Sequence, residues 1–265
     1  MLWSWPANPT LRIYASIDAT KHSKLGVVVV QLGIPAHRSF QSWPLNLNAS
    51  PPGVVLFVRI SLRRIGVLCG ILGPVLWLLL IGMAGAMRPD FSHITHYISE
   101  LGELGSSTEV MMRYAAFGFT GLLYLCFASA LLTTFRDGWY SALGAALIAL
   151  DGLGRIGAGV FACDPGCEGI SSSQELHRLF ATIGFLSGIF AAITWGITFR
   201  RHGWPQSLTW YSVGTGVLAL IFLLLMSWSR NPVHAPGLFE HLASVVLSLW
   251  VLVFATRLVR SSEQP

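Results

Sequence analysis

Charged side chains are scarce in this chain, at 11% of its 265 residues, whereas an ordinary soluble domain has about 25%. Hydrophobic residues make up 53% of the sequence. The apolar runs are too long and too frequent for a soluble core, so the composition excludes a water-soluble globular protein. No basic face interleaved with aromatic side chains appears, although the formal net charge is +5. We therefore expect no nucleic-acid partner.

The sequence also lacks the short motifs that identify common reactions. It contains no nucleophile elbow, no phosphate-binding loop and no haem-attachment motif. The spans defined below have no two histidines deep in facing helices, as haem b would require. Whether the protein is an enzyme, and whether it has a cofactor, are therefore unknown from the sequence.

The first 53 residues differ from the rest of the chain. They have scattered Pro, Asn and Ser, and no apolar run beyond the short GVVVVQLGIP. A basic region followed by a long apolar region and a cleavage site is missing, which argues against a signal peptide. We predict either a disordered cytoplasmic tail or an untranslated upstream segment, with the true start at Val54 or Val55. Mass spectrometry of the native N-terminus tests the second alternative, which any peptide from residues 1–50 would contradict.

Six apolar runs are long enough to cross a bilayer, which takes about 20 residues. We therefore predict an all-α bundle of six transmembrane helices within residues 54–260, followed by a short polar tail at residues 261–265. The runs cover residues 65–87, 110–135, 139–163, 179–199, 208–228 and 238–256.

The charges that flank these runs are distributed unequally. Arginines precede the first run and follow the second, fourth and sixth, whereas acidic residues dominate the other connections. By the positive-inside rule, both termini are expected in the cytoplasm and the acidic connections outside, in a bacterial or archaeal plasma membrane such as a bacterial inner membrane. The arginines are Arg59, Arg63, Arg64, Arg136, Arg200, Arg201, Arg257 and Arg260.

The first outer connection contains the stretch SHITHYISELGELG, residues 92–105. Its histidines and glutamates recur every three or four residues, so an α-helix would carry them on one face. We predict a short surface helix there, with its apolar side on the bundle or lipid. His93, His96 and Glu100 are weak candidates for metal ligands, because their spacing matches no known zinc motif.

Other polar residues fall on the same predicted side of the membrane. His177 begins the fourth span, and Glu240 begins the sixth, near Arg230, His234 and His241. Each of these side chains alone fits a solvated interfacial residue. Their clustering makes His96, Glu100, His177 and Glu240 candidate site residues. The expected partner of the protein as a whole is the lipid bilayer.

Asp151 and Arg155 lie one helical turn apart inside the third span. Ionisable residues at that depth are costly, and they are functional or paired with each other. One alternative is a structural ion pair that neutralises itself. The other is that both residues belong to the site.

Cys163 and Cys167 enclose the sequence CDPGC at the outer end of the third span. In an oxidising compartment, a disulfide across this tight turn is expected. Metal binding by two thiolates with His177 is the minority alternative. Cys69 and Cys126 lie within spans and are expected to be buried packing residues.

Three of these stretches together resemble the DUF998 family of prokaryotic integral membrane proteins. They are HYISELGELGS after the first span, GVFACDPGC with LHR downstream, and PGLFEH opening the last span. The resemblance covers roughly residues 60–258 and implies a six-helix fold without an established reaction. The family more often has arginine where this chain has His241, so no role that needs a permanent cation is expected there.

Three hypotheses on function remain open from the sequence. The first is a site at the outer face that binds or processes a lipid or a lipid-linked group. The second is a small transporter in which Asp151 and Arg155 form a gate or proton relay. The third is a non-catalytic protein that assembles with partners. The sequence fixes neither the ligand nor the oligomeric state.

Overall fold

The computed structural model describes residues 12–16, 27–31, 55–58, 62–136, 138–229 and 235–261. The chain divides into two units, Met1–Leu62 and Arg63–Pro265. The first unit contains an antiparallel sheet in the order β1-β2-β3, with Tyr14 opposite Val29 and Val29 opposite Phe57. Its strands are β1 (Arg12–Ser16), β2 (Val27–Gln31) and β3 (Val55–Val58). Both alternatives for residues 1–53, a disordered tail or an untranslated segment, stay predictions, and the predicted polar tail lies, apart from Ser261, outside the described residues.

Helices α1 to α6 are all long and apolar enough to cross a membrane. The sequence-based prediction of six membrane-spanning helices is therefore confirmed for the membrane domain, while its orientation stays a prediction. The helices are α1 (Leu62–Met87), α2 (Met111–Thr134), α3 (Trp139–Val160), α4 (Ser172–Arg201), α5 (Gln206–Trp228) and α6 (Pro236–Ser261). The first part of α2, Met111–Phe119, is π-helical.

The start of α4 and the end of α3 differ from the ends of their apolar runs, and local backbone interactions explain both differences. α4 begins at Ser172, well before its apolar run, because the Ser171 hydroxyl accepts the Gln174 N–H at 3.1 Å and caps the first turn. α3 ends at Val160, before its run does, because Phe161 turns to an extended backbone at φ −94° and ψ 97°. The apolar runs therefore indicate the spans but not their ends.

Small residues allow close helix contacts in the bundle. A Cβ on Gly154 of α3 would lie 2.6 Å from the backbone of Gly184 in α4, so a larger side chain there would push the two helices apart. The apolar core has two main parts. One is built around Trp195, Trp250 and Phe254, and the other around Trp77 and Leu101.

Because the helices alternate in direction, the bundle has two distinct ends. We call the end that carries the connections at residues 88–110 and 161–171 the disulfide end. We call the other end, where α4 meets α5 and α6 finishes, the arginine end. The core around Trp77 lies toward the disulfide end, and the core around Trp195 lies toward the arginine end.

The predicted surface helix over residues 92–105 is wrong, because only Ile98–Gly102 forms a short 3-10 helix. Tyr97 has an extended backbone at φ −68° and ψ 153°. Side chains bind the backbone here: His96 Nδ1 accepts the Ser92 N–H at 2.9 Å, and Glu100 accepts the Tyr97 N–H at 2.7 Å. In a helix over residues 92–105, the Tyr97 N–H would instead bind the His93 carbonyl. The segment folds onto the bundle instead of forming one amphipathic face.

Candidate functional site

A cavity of about 40 Å³ with a mixed apolar and polar lining lies inside the bundle toward the disulfide end. Residues of α1, α2, α3, α4 and α6 line it, together with Ile98 and Ser99 of the connection between α1 and α2. The volume exceeds the roughly 10–15 Å³ that one water molecule needs, so the cavity can hold a few waters or a small polar group. Its charged or titratable lining residues are Asp151, Arg155, His177 and Glu240.

Asp151 and Arg155 form a buried ion pair along one side of α3, with 2.9 Å between Arg155 Nε and Asp151 Oδ1. The Arg155 guanidinium lies 4.5 Å from the ring centroids of both Trp77 and Tyr124, which adds cation–π attraction. Trp77 is itself held by a hydrogen bond from its indole Nε1 to the Ser244 hydroxyl at 2.7 Å. The aromatic rings and the aspartate therefore fix the guanidinium beside the cavity.

One nitrogen of Arg155 is unsatisfied within the described part of the chain. Its Nη1 is buried and has no hydrogen-bond partner there. A buried donor without an acceptor costs about 1–3 kcal/mol, and more when it is charged. Because Arg155 lines the cavity, its guanidinium is a candidate donor to an oxygen of a bound group.

His177 lines the cavity from the first turns of α4. Its Nδ1 donates to the carbonyl oxygens of Ala158 and Phe161, at 2.9 and 2.8 Å, where α3 ends. Both partners are acceptors, so the proton of a neutral ring lies on Nδ1 and Nε2 keeps a lone pair. The imidazole thus offers a positioned proton acceptor beside the cavity.

Glu240 ties α6 to the connection that covers the cavity. One of its carboxylate oxygens accepts the Ile98 N–H at 2.7 Å, and the Leu238 N–H binds the Ile94 carbonyl at 3.0 Å. Ile98 and Ser99 in turn line the cavity. We call residues 92–105 the roof segment, since this stretch closes the cavity at the disulfide end.

Arg88, at the end of α1, holds the roof segment from the other side. It donates to the Glu100 carbonyl at 2.7 Å and pairs with Glu103 at 3.1 Å and Asp90 at 2.9 Å. Burial raises the pKa of the Glu100 carboxyl above its ordinary value. Sequence reasoning missed Arg88, although a lone cation beside an acidic connection was a usable signal.

His93, His96 and Glu100 lie in the roof segment and do not line the cavity. His93 Nδ1 lies 2.9 Å from His241 Nε2, whereas the His96 ring stacks on Phe91 with centroids 5.4 Å apart. The three candidate metal ligands thus face different partners. In the part of the chain that the structure describes, no three His, Cys, Asp or Glu side chains converge on a metal position. Arg230 and His234 lie outside the described residues.

Cys163 and Cys167 are joined by a disulfide, with their Cα atoms 5.0 Å apart. The bond lies against the roof segment, because the Cys163 sulfur is 3.4 Å from the Ser99 carbonyl oxygen and the Cys167 sulfur is 3.3 Å from the Ser99 hydroxyl. The Gly166 N–H adds a 2.5 Å hydrogen bond to Glu103. Cys69 is buried and Cys126 is half-buried, and both are free thiols.

Arg113 is a second residue that sequence reasoning missed. It donates from Nε to the Gly159 carbonyl and from Nη2 to the Val160 carbonyl, both at 2.9 Å, and it pairs with Glu109 at 2.6 Å. These bonds satisfy carbonyls at the C-terminus of α3 that have no partner within the helix. The four-residue spacing of Glu109 and Arg113 was the available signal.

Comparison with known families places the chain in one of them. The model of the family described as a protein of unknown function, DUF998, matches residues 71–257. The chain belongs to the DUF998 family. No curated protein and no solved structure matches it. The matched range contains every charged or titratable residue that lines the cavity, from Asp151 to Glu240.

Proposed function

We propose that this DUF998 membrane protein binds the polar part of a lipid, or of a lipid-linked molecule, in the cavity at the disulfide end. The observation that carries the proposal is that Arg155, which lines the cavity, has a buried Nη1 without an acceptor among the described residues. A phosphate or carboxylate oxygen is the acceptor that a guanidinium binds best. The cavity has room for such a group but not for a whole headgroup, so the rest of the molecule would extend from it.

His177 and Glu240 support a chemical role beside binding. The Nε2 lone pair of His177 gives the cavity a proton acceptor. The Glu240 carboxylate, which binds the roof segment, is a second group that can take up or release a proton. Chemistry on the bound group would therefore begin with proton transfer to His177.

Transport is the second candidate, favoured by the position of the ion pair partway along a membrane helix. The core toward the arginine end argues against an open path through the bundle. There Phe127, Trp195 and Phe254 are fully buried and pack as one apolar cluster. A transported polar group would have to displace these large rings, whereas a group bound from the disulfide end would not.

Lipid retention tests the proposal. The wild-type protein, extracted in mild detergent and studied by native mass spectrometry, should carry a bound lipid or lipid-linked molecule. Asp151→Leu combined with Arg155→Leu should fold, because both charges leave together, and should lose that molecule. Glu109→Gln breaks the other i,i+4 ion pair away from the cavity and should retain it. A folded double variant with full retention would refute the binding role.

We also propose that the disulfide end faces out of the cytoplasm, which the distribution of arginines supports. A reporter fused after Pro265 should then be active in the cytoplasm, and one inserted near Ser172 should be active outside. The opposite pattern would move the cavity to the cytoplasmic side.

A further inference from the structure

We propose that the arginine end carries a second binding site, which takes the phosphate headgroup of an anionic phospholipid. This site is separate from the cavity of the proposed function and does not depend on it. An open groove of about 720 Å³ lies between the turn that joins α4 to α5 and the last turns of α6. Its lining includes Trp204, Leu208, Tyr211, Val253, Arg257 and Arg260.

Two cations of the groove are available to a ligand. Arg257 and Arg260 are three residues apart on α6 and therefore lie on one face, and both are exposed. Neither forms an ion pair with a carboxylate in the described parts of the chain, which leave out Asp137 and Glu263. Arg201, by contrast, lies 4.1 Å from the ring centroid of Tyr140 and is outside the groove lining.

The rest of the groove suits the glycerol and upper acyl part of a phospholipid. Leu208 and Val253 give it an apolar floor. Trp204 is held in place, because its backbone N–H donates to the Phe199 carbonyl at 2.9 Å and the centroid of its ring lies 5.3 Å from that of the Phe199 ring. Trp and Tyr side chains near the end of a membrane helix, such as Trp204 and Tyr211, are typical of the headgroup level.

A phospholipid fits these features better than a free anion does. The guanidinium groups of Arg257 and Arg260 can each donate two parallel hydrogen bonds to phosphate oxygens. The floor adds apolar contact that a free phosphate cannot use. Basic pockets between membrane helices are known to take anionic headgroups, and each arginine near the surface contributes about 1 kcal/mol. That corresponds to about a fivefold change in affinity for each residue.

The test uses the full chain in neutral detergent, titrated with phosphatidylglycerol or with phosphatidylcholine. Binding is measured by native mass spectrometry and by the shift in the thermal midpoint. We expect phosphatidylglycerol to bind preferentially, and Arg257→Gln with Arg260→Gln to weaken it by about 25-fold. The matched control is Arg63→Gln with Arg64→Gln, which removes the same charge from exposed residues at the start of α1, and it should change affinity by less than about threefold.

Each other outcome overturns the assignment. Equal binding of the two lipids, or an equal loss in the control, would mean that general charge attraction accounts for the effect. An equal shift from glycerol phosphate or inorganic phosphate would mean that the groove takes a free anion. If the glutamine variant does not fold, Arg257→Lys with Arg260→Lys keeps the charge but loses the planar fork. That variant should still bind phosphatidylglycerol, but more weakly than the wild type. Unchanged affinity would show that paired hydrogen bonds from the guanidinium groups to the phosphate are not needed.

Discussion

The two ends of the bundle treat their charges in opposite ways. At the disulfide end, Arg155 is buried and paired with Asp151. Arg88 there binds the Glu100 carbonyl and the carboxylates of Glu103 and Asp90. At the arginine end, Arg257 and Arg260 lie exposed around an open groove. Burial makes the first set costly to disturb, while solvent and headgroups screen the second. The position of a charge thus predicts whether its removal affects stability or binding.

The largest effect should come from breaking the buried pair. Asp151→Asn leaves Arg155 charged without its partner inside the bundle, so we expect a loss of about 3–5 kcal/mol in the free energy of unfolding. Asp151→Leu with Arg155→Leu should recover most of it, because the desolvation cost disappears with both charges. Thermal unfolding in detergent measures both variants. A single variant as stable as the wild type would mean that the pair is not desolvated.

The disulfide should contribute less. Cys163→Ser with Cys167→Ser opens a loop whose ends are four residues apart, and the loop-closure model then gives a loss of about 2 kcal/mol. In native membranes, both cysteines should resist alkylation until a reductant is added, after which both should react. Thiols that react readily before reduction would show that the bond is absent in the cell.

The free energy of unfolding should depend on pH through Glu100, at the disulfide end. The pKa of Glu100 is raised by burial, so the folded state holds this proton more tightly than the unfolded chain. The resulting stability is fully present below the ordinary value of 4.5 and is lost as the pH rises through the folded pKa. Glu100→Gln should flatten this part of the stability–pH curve and keep the oxygen that accepts the Tyr97 N–H. Glu168→Gln, at an exposed residue, is the control and should leave the curve unchanged.

The smallest effect on stability should come from the arginine end. Arg257→Gln and Arg260→Gln remove exposed charges, so each should change the free energy of unfolding by less than about 0.5 kcal/mol without added lipid. The thermal midpoint in neutral detergent checks this. A loss as large as that of Asp151→Asn would remove the contrast between the two ends and indicate a structural role for these arginines.

The spans could be predicted from the sequence because a bilayer requires about 20 apolar residues and a continuous backbone hydrogen-bond pattern, whatever the neighbours are. The roof segment could not, because its conformation depends on side chains that bind the backbone. His96 and Glu100 were predicted as exposed groups on a helix face, whereas they bind the Ser92 and Tyr97 amides. Short polar connections have no periodic pattern strong enough to outweigh such local bonds.

The sequence by itself determined the membrane class, the number of spans and the spacing that pairs Asp151 with Arg155. These features follow from hydropathy and from helical periodicity, which are local along the chain. Only the tertiary structure decided that His177 and Glu240 join that pair around one cavity while His96 does not. It also decided that Arg257 and Arg260 lie around a groove. Such groupings depend on how distant helices rotate and pack against each other, and rotation is set by small-residue contacts such as Gly154 against Gly184.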